Sequence, residues 1–252
     1  MFEIIFSMVI GQKLNPLRQS IGLSPTREIF KWWLSPDLVI ALFPDWYAQK
    51  QTDWPAQLRL CGFPIQDGNG QEQLPSETVT FCEKGSKPIV FTFGTGMMHA
   101  HTLFKEAIEV CSQIQERAIF LTRFPEQLPT ELPPFVHYCR FAPLQKLLPL
   151  CSAIVHHGGI GTTAKAFASG IPQLILPFAF DQLDNACRVK KAGAGEFLLK
   201  AQRNPSSVTA ALTRILDEKC IFAAQAVGKR FDNQSGIESA ASMIQEFSQK
   251  KR

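Results

Sequence analysis

Residues 152–184 read SAIVHHGGIGTTAKAFASGIPQLILPFAFDQLD. The apolar run Ala153-Ile154-Val155 ends in two histidines, His156 and His157, and a glycine-rich turn follows at Gly158, Gly159 and Gly161. Thr162 and Thr163 open a helical pattern, and a second apolar run between Pro172 and Pro177 leads to Asp181-Gln182. Strand, glycine turn and helix N-terminus in succession suit a phosphate. Glycine lets the backbone approach closely, the first N–H groups of a helix have no partner within it, and the helix dipole is positive at that end. The stretch predicts an α/β fold that binds a nucleotide.

Two kinds of nucleotide compete for this turn. Gly159-x-Gly161-x-x-Ala164 has the G-x-G-x-x-A form of a dinucleotide-binding turn, and Asp181 lies 20 residues beyond Gly161, where a ribose-binding acid is expected. Three features point elsewhere. The motif lies past the middle of the chain, whereas that turn normally follows the first strand of its domain. A dinucleotide site has no use for two imidazoles there, and Asp181-Gln182 pairs a carboxylate with an amide, which suits a ligand rich in hydroxyls. A P-loop is excluded because no Gly-Lys-Ser/Thr follows the glycines.

Composition bounds the remaining choices. The chain has 252 residues, 45% hydrophobic and 19% charged, as in a soluble globular protein. Seven cysteines, odd in number and without a C-x-x-C pair, read as reduced thiols of a cytoplasmic protein. The opening MFEIIFSMVI is apolar, too short to span a bilayer and without a signal peptide's basic start. A net charge of +4, spread along the chain, and the absence of a nucleic-acid motif argue against a nucleic-acid partner. The basic end Lys250-Lys251-Arg252 reads as a solvated tail, with contact at the inner face of the membrane as the alternative.

Strand and helix patterns alternate along the chain. Residues 37–43 and 58–62 read as strands, and the polar stretch 64–87 as a linker. Further strands are predicted at 88–93, 118–122, 135–138, 152–156, 172–176 and 196–199. Helices are predicted at 98–115, 143–150, 162–169, 181–192, 205–217 and 235–249. Such βα alternation implies a doubly wound parallel sheet whose ligand sits at the carboxyl ends of the strands. Gly94-Thr95-Gly96 and Phe141-Ala142-Pro143-Leu144 fall at two such ends. His99-x-His101 resembles half a metal site, but no further ligands lie at suitable spacing, and no metal is expected.

His157-Gly158-Gly159-Ile160-Gly161-Thr162, then Gly170-Ile171-Pro172, Pro177 and Asp181-Gln182-x-x-Asn185-Ala186, resemble the donor-binding signature of family 1 glycosyltransferases. The variant here is similar to the bacterial type, that of the rhamnosyltransferases and the macrolide and sterol glycosyltransferases. The resemblance runs from about Leu14 to Gly195. It implies the Rossmann-like C-terminal domain of a GT-B fold that binds a nucleotide diphosphate sugar, a UDP- or dTDP-hexose. Gly94, Thr95, His157, Gly159, Gly161 and Thr162 would hold the diphosphate, Phe141 and Ala142 the base, and Asp181 and Gln182 the sugar. No cofactor and no metal would be required, because His157 and the helix N-terminus take the cation's place. Three assignments stay open at the residue level. Phe141 is either a base platform or core, Lys165 reaches either a phosphate or solvent, and Asp181 is either a sugar ligand or a helix N-cap.

The resemblance also implies a division of the chain. Residues 1–65 would be an incomplete, Rossmann-like remnant of the N-terminal acceptor domain, 66–87 a linker and 88–252 the donor domain. The family's catalytic base is a histidine early in the acceptor domain, and the first of the five histidines here is His99. The expectation is a shortened chain or one half of a split enzyme, without its own base. Open strand edges and apolar faces would then lead it to self-associate or to bind a partner subunit, with MFEIIFSMVI covering part of that surface. Inverting transfer to a small-molecule or lipid-like acceptor is the leading reading. A non-catalytic donor-binding subunit and an NAD-dependent oxidoreductase are the alternatives.

Overall fold

A computed structural model describes residues 2–66, 71–94, 100–231 and 235–250, the side chains of residues 2, 3 and 6 excepted. The chain divides into two compact units, one of Met1–Gly62 with Gly236–Arg252 and one of Phe63–Ser235.

The first unit contains helices α1 (Phe2–Ser20) and α2 (Ile29–Trp33), strands β1 (Val39–Ala41) and β2 (Leu58–Leu60), and the C-terminal helix Gly236–Lys250. The two apolar runs read as strands do pair, in parallel, with Val39 opposite Leu58 and Ala41 opposite Leu60. Asn15 on α1 clamps the following turn by accepting from the Thr26 N–H and donating to its carbonyl, at 2.8 and 3.0 Å. Two expectations change here. MFEIIFSMVI begins α1 and is no cover, since Ile4, Ile5, Met8 and Val9 are all more than half exposed. The C-terminal helix groups with residues 1–62 and not with the run from residue 88. Among the described residues no helix is long and apolar enough to cross a membrane.

The second unit is built on six parallel strands: β3 (Ile89–Thr92), β4 (Ala118–Leu121), β5 (Val136–Cys139), β6 (Ala153–His156), β7 (Gln173–Ile175) and β8 (Gly195–Phe197). Their spatial order is β5-β4-β3-β6-β7-β8. Counted from β3 this is the 3-2-1-4-5-6 order of a Rossmann fold. β3, β6 and β7 are buried at every residue, as strands covered on both faces must be. Alternate residues then serve opposite faces. Ile89 and Phe91 pack with Phe104 and Val110 of α4 (His101–Ile114) and Leu212 and Ile215 of α8 (Pro205–Ile215). Val90, Ile119 and Ile154 pack with Leu147 of α5 (Leu144–Leu147) and Ala166 of α6 (Ile160–Ala168). Helix α7 (Gln182–Lys191) leads into β8.

Helices α1 and α2 of the first unit, and α3 (Ser76–Glu83) and α9 (Glu218–Gly228) of the second, lie where no helix was predicted. The stretch read as a linker contains α3, which buries only Thr78 and Cys82. Thr78 Oγ1 lies 2.9 Å from His137 Nε2 on β5, and the Arg117 guanidinium covers the Phe81 ring at 4.0 Å. A helix with one buried pair leaves little apolar periodicity to read. Helix α9 follows α8 directly because Asp217, in extended backbone, ends one helix and begins the next.

Candidate functional site: a cavity at the sheet's switch point

The strand order reverses between β3 and β6, and a crevice opens there at the carboxyl ends of the strands. The turn after β6 is held from beneath by His156, which is fully buried. Its Nδ1 accepts the Gly158 N–H at 3.1 Å, so the proton resides on Nε2, which donates to Gln173 Oε1 at 2.9 Å. Burial, followed by the neighbouring His157, pushes the His156 pKa down to about 3, against a smaller opposing effect of the Gln173 bond. His156 is thus a neutral structural group pointing away from the ligand side. Gly158 sits at φ +91, and a Cβ there would meet Ile175 Cγ2 at 2.7 Å, so only glycine makes this turn.

The turn sends His157 the other way. Its ring lies between Gly94 and Gly159, where added Cβ atoms would come within 3.0 Å of Cε1 and 2.5 Å of Nε2. Its Nδ1 is buried and has no hydrogen-bond partner among the described residues. Burial lowers the pKa of His157, while the Asp181 carboxylate acts in the opposite sense. Helix α6 begins one residue after Gly159, and its first intrahelical backbone donor is Thr163, which bonds the Gly159 carbonyl. The N–H groups of Ile160, Gly161 and Thr162 are left for another acceptor. No acidic residue occupies this first turn.

These groups line one cavity of about 350 Å³ that spans the ends of β3, β4, β5 and β6. Gly94, Phe141, Ala142, His157, Gly159, Gly161 and Thr162 all contribute to its wall. Phe141 is 45% exposed, which removes the core reading. Neither backbone group of Ala142 takes part in backbone hydrogen bonding among the described residues. Lys165 also lines the cavity, from the second turn of α6, because the helix starts earlier than predicted. Thr95 and His99 lie outside the described residues, and among those described no cluster of metal-ligating side chains occurs.

Asp181 and Gln182 stand outside that wall. Asp181 makes no N-cap bond to α7, and its Oδ2 accepts from Asn185 Nδ2 at 2.9 Å. Gln182 Oε1 accepts the N–H groups of Phe178 and Ala179, at 2.7 and 3.1 Å, which leaves its amide N–H groups for a ligand. Asn185 was read only as part of a motif, yet it is the link between the two halves of the site. Buried, it donates both to the Gly158 carbonyl and to Asp181. Arg123 and Arg140, which no motif marked, line the cavity on either side of the sheet edge by Phe141.

A six-stranded parallel sheet in Rossmann order, with the α6 N-terminus and the His157 ring at its switch point, defines an α/β protein. The family model for the erythromycin biosynthesis protein CIII-like C-terminal domain matches residues 109–239, more than half of the chain, and the chain belongs to that family. It is 29% identical over 203 residues to the O-mycaminosyltylonolide 6-deoxyallosyltransferase of Streptomyces fradiae, covering 79% of this chain and 47% of that protein. To the sterol 3-beta-glucosyltransferase of Candida albicans it is 30% identical over 267 residues, covering 97% and 17%. The solved structure of the spinosyn forosaminyltransferase SpnP superposes with a TM-score of 0.74 at 24% identity, over 95% of this chain and 61% of that one, a likeness of fold. The chain therefore spans less than half the length of these two curated relatives.

Proposed function

We propose that this chain binds the nucleoside diphosphate of a UDP- or dTDP-sugar and presents the sugar for inverting transfer to a small-molecule or lipid-like acceptor. One observation carries the reading. A single cavity joins the unpaired N–H groups of Ile160–Thr162 and the partnerless His157 ring nitrogen at one end to an exposed aromatic face, Phe141, at the other. A diphosphate between two such ends accepts from the helix N–H groups and partners the buried His157 nitrogen. It also allows the base to stack. As the glycosidic bond breaks, negative charge collects on the departing diphosphate, where these donors stabilise it. Asp181, held by Asn185, and the amide N–H groups of Gln182 would bind the sugar hydroxyls, beyond the wall of the cavity. Both curated relatives carry names of sugar transferases, which supports the reading.

A dinucleotide site finds no such support. The glycine turn follows β6, the fourth strand in Rossmann order, whereas a dinucleotide turn follows the first. Calorimetric titration with UDP, dTDP and NADH separates the two. UDP or dTDP should bind, and His157→Ala should weaken binding about tenfold or more, the loss of a hydrogen bond to a charged group. Binding of NADH in preference, indifferent to His157, would overturn the proposal.

A further inference from the structure

Arg123 and Arg140 remain unaccounted for by the diphosphate. They stand at the ends of β4 and β5, two and three strands from the turn after β6, and both line the cavity beside Phe141. They also wall an adjoining recess of about 510 Å³ that contains Glu77, Thr78 and Tyr138. The Arg123 Cζ lies over the Phe141 ring, 5.9 Å from its centroid. Neither arginine forms an ion pair among the described residues. Two guanidinium groups without an ion pair among the described residues therefore stand beside Phe141, at the end of the cavity away from the helix N-terminus.

We infer that Arg123 and Arg140 read the nucleobase through its carbonyl oxygens, those of uracil, thymine or guanine, and select against cytosine and adenine. The inference rests on the donor-site reading above. Guanidinium offers five N–H donors and no acceptor, so it pairs only with base atoms that accept. Uracil and thymine carry O2 and O4 as acceptors, whereas cytosine and adenine present an exocyclic amino donor in the place of one. Such a donor would face N–H groups and lose the contact. Arg123 stands 5.9 Å from the Phe141 ring centroid and is exposed, so a small swing of its side chain brings it to the edge of a base stacked on Phe141.

The test is titration of the full chain and of its R123Q and R140Q variants with UDP, dTDP, CDP, ADP and inorganic pyrophosphate, with far-UV circular dichroism to verify folding. Wild type should prefer UDP over CDP and ADP by about tenfold or more, the range of one good guanidinium–base contact. At least one variant should lose about tenfold in UDP affinity and narrow the UDP–CDP gap, with pyrophosphate binding unchanged. Equal losses for UDP and pyrophosphate would mean that the arginines serve the phosphates, and would overturn the inference. UDP binding that depends on His157 yet keeps its affinity and base preference in both variants would overturn it while leaving the donor site standing. A wild-type chain that binds neither UDP nor dTDP removes both.

Discussion

Neither ring nitrogen of His156 reaches solvent, and both are committed, one to Gly158 and one to Gln173. Its pKa falls from the ordinary 6.5 in the unfolded chain to about 3 on folding. Between those values the unfolded chain binds the extra proton. Folding stability is thus fully present above about 6.5 and is lost as pH drops towards 3, by roughly 1 kcal/mol per pH unit. Denaturant midpoints taken between pH 7 and 4 should show this decline, and in His156→Gln the decline should be smaller. Asn185 makes a second residue-level prediction. Its removal in Asn185→Ala leaves the buried Gly158 carbonyl and one Asp181 oxygen unpaired, a cost of about 1–3 kcal/mol. Melting temperature and nucleotide-sugar affinity should fall together. Normal affinity for the sugar donor would show that Asp181 needs no support.

Among the elements, α6 and α8 show how local sequence sets a helix start. Helix α8 opens with Pro205 after Asn204, whose side chain accepts the Ser207 N–H at 2.9 Å while Ser207 returns a bond to the Asn204 N–H. Asn204→Ala should lower stability by about 1 kcal/mol, read by denaturant titration, and leave UDP binding intact because α8 is remote from the cavity wall. Helix α6 opens on Gly159 with no side-chain cap. Its first N–H groups thus stay available to a ligand. The strands were legible because their runs are short, apolar and rich in branched and aromatic residues. Helix α3 was not legible, since its hold on the fold comes from Thr78–His137 and Arg117–Phe81 contacts across distant sequence.

For the molecule as a whole, exposed apolar surface sets behaviour in solution. Ile5, Met8 and Val9 are 57%, 64% and 61% exposed on α1, and Trp33 on α2 is 55% exposed. Scattered singly such residues mean little, but grouped in the first half of α1 they form a sticky surface. The chain should bind an apolar dye, and Ile5→Glu with Val9→Glu should reduce that binding without changing UDP affinity. Dye binding unaltered by those changes would place the surface elsewhere. The same grouping is the basis for expecting association at micromolar concentrations, which sedimentation of the wild type and the double variant would compare.

The glycine turn, the histidine pair, Phe141-Ala142 and the alternation of strands and helices were each readable in sequence, because each is a local requirement: a positive φ, a strand end, a period of two. They were sufficient to indicate a Rossmann-like domain and a phosphate-suited turn. Tertiary structure alone brought Gly94, Phe141 and His157 to one cavity, since that depends on β3, β5 and β6 adopting their places in the sheet. Strand alternation already set His156 on the face opposite His157; tertiary structure added its full burial and assigned Asn185 its two bonds. It alone placed Arg123 and Arg140 beside Phe141. Single arginines in polar loops carry no pattern of their own, and their meaning comes from what the fold sets next to them.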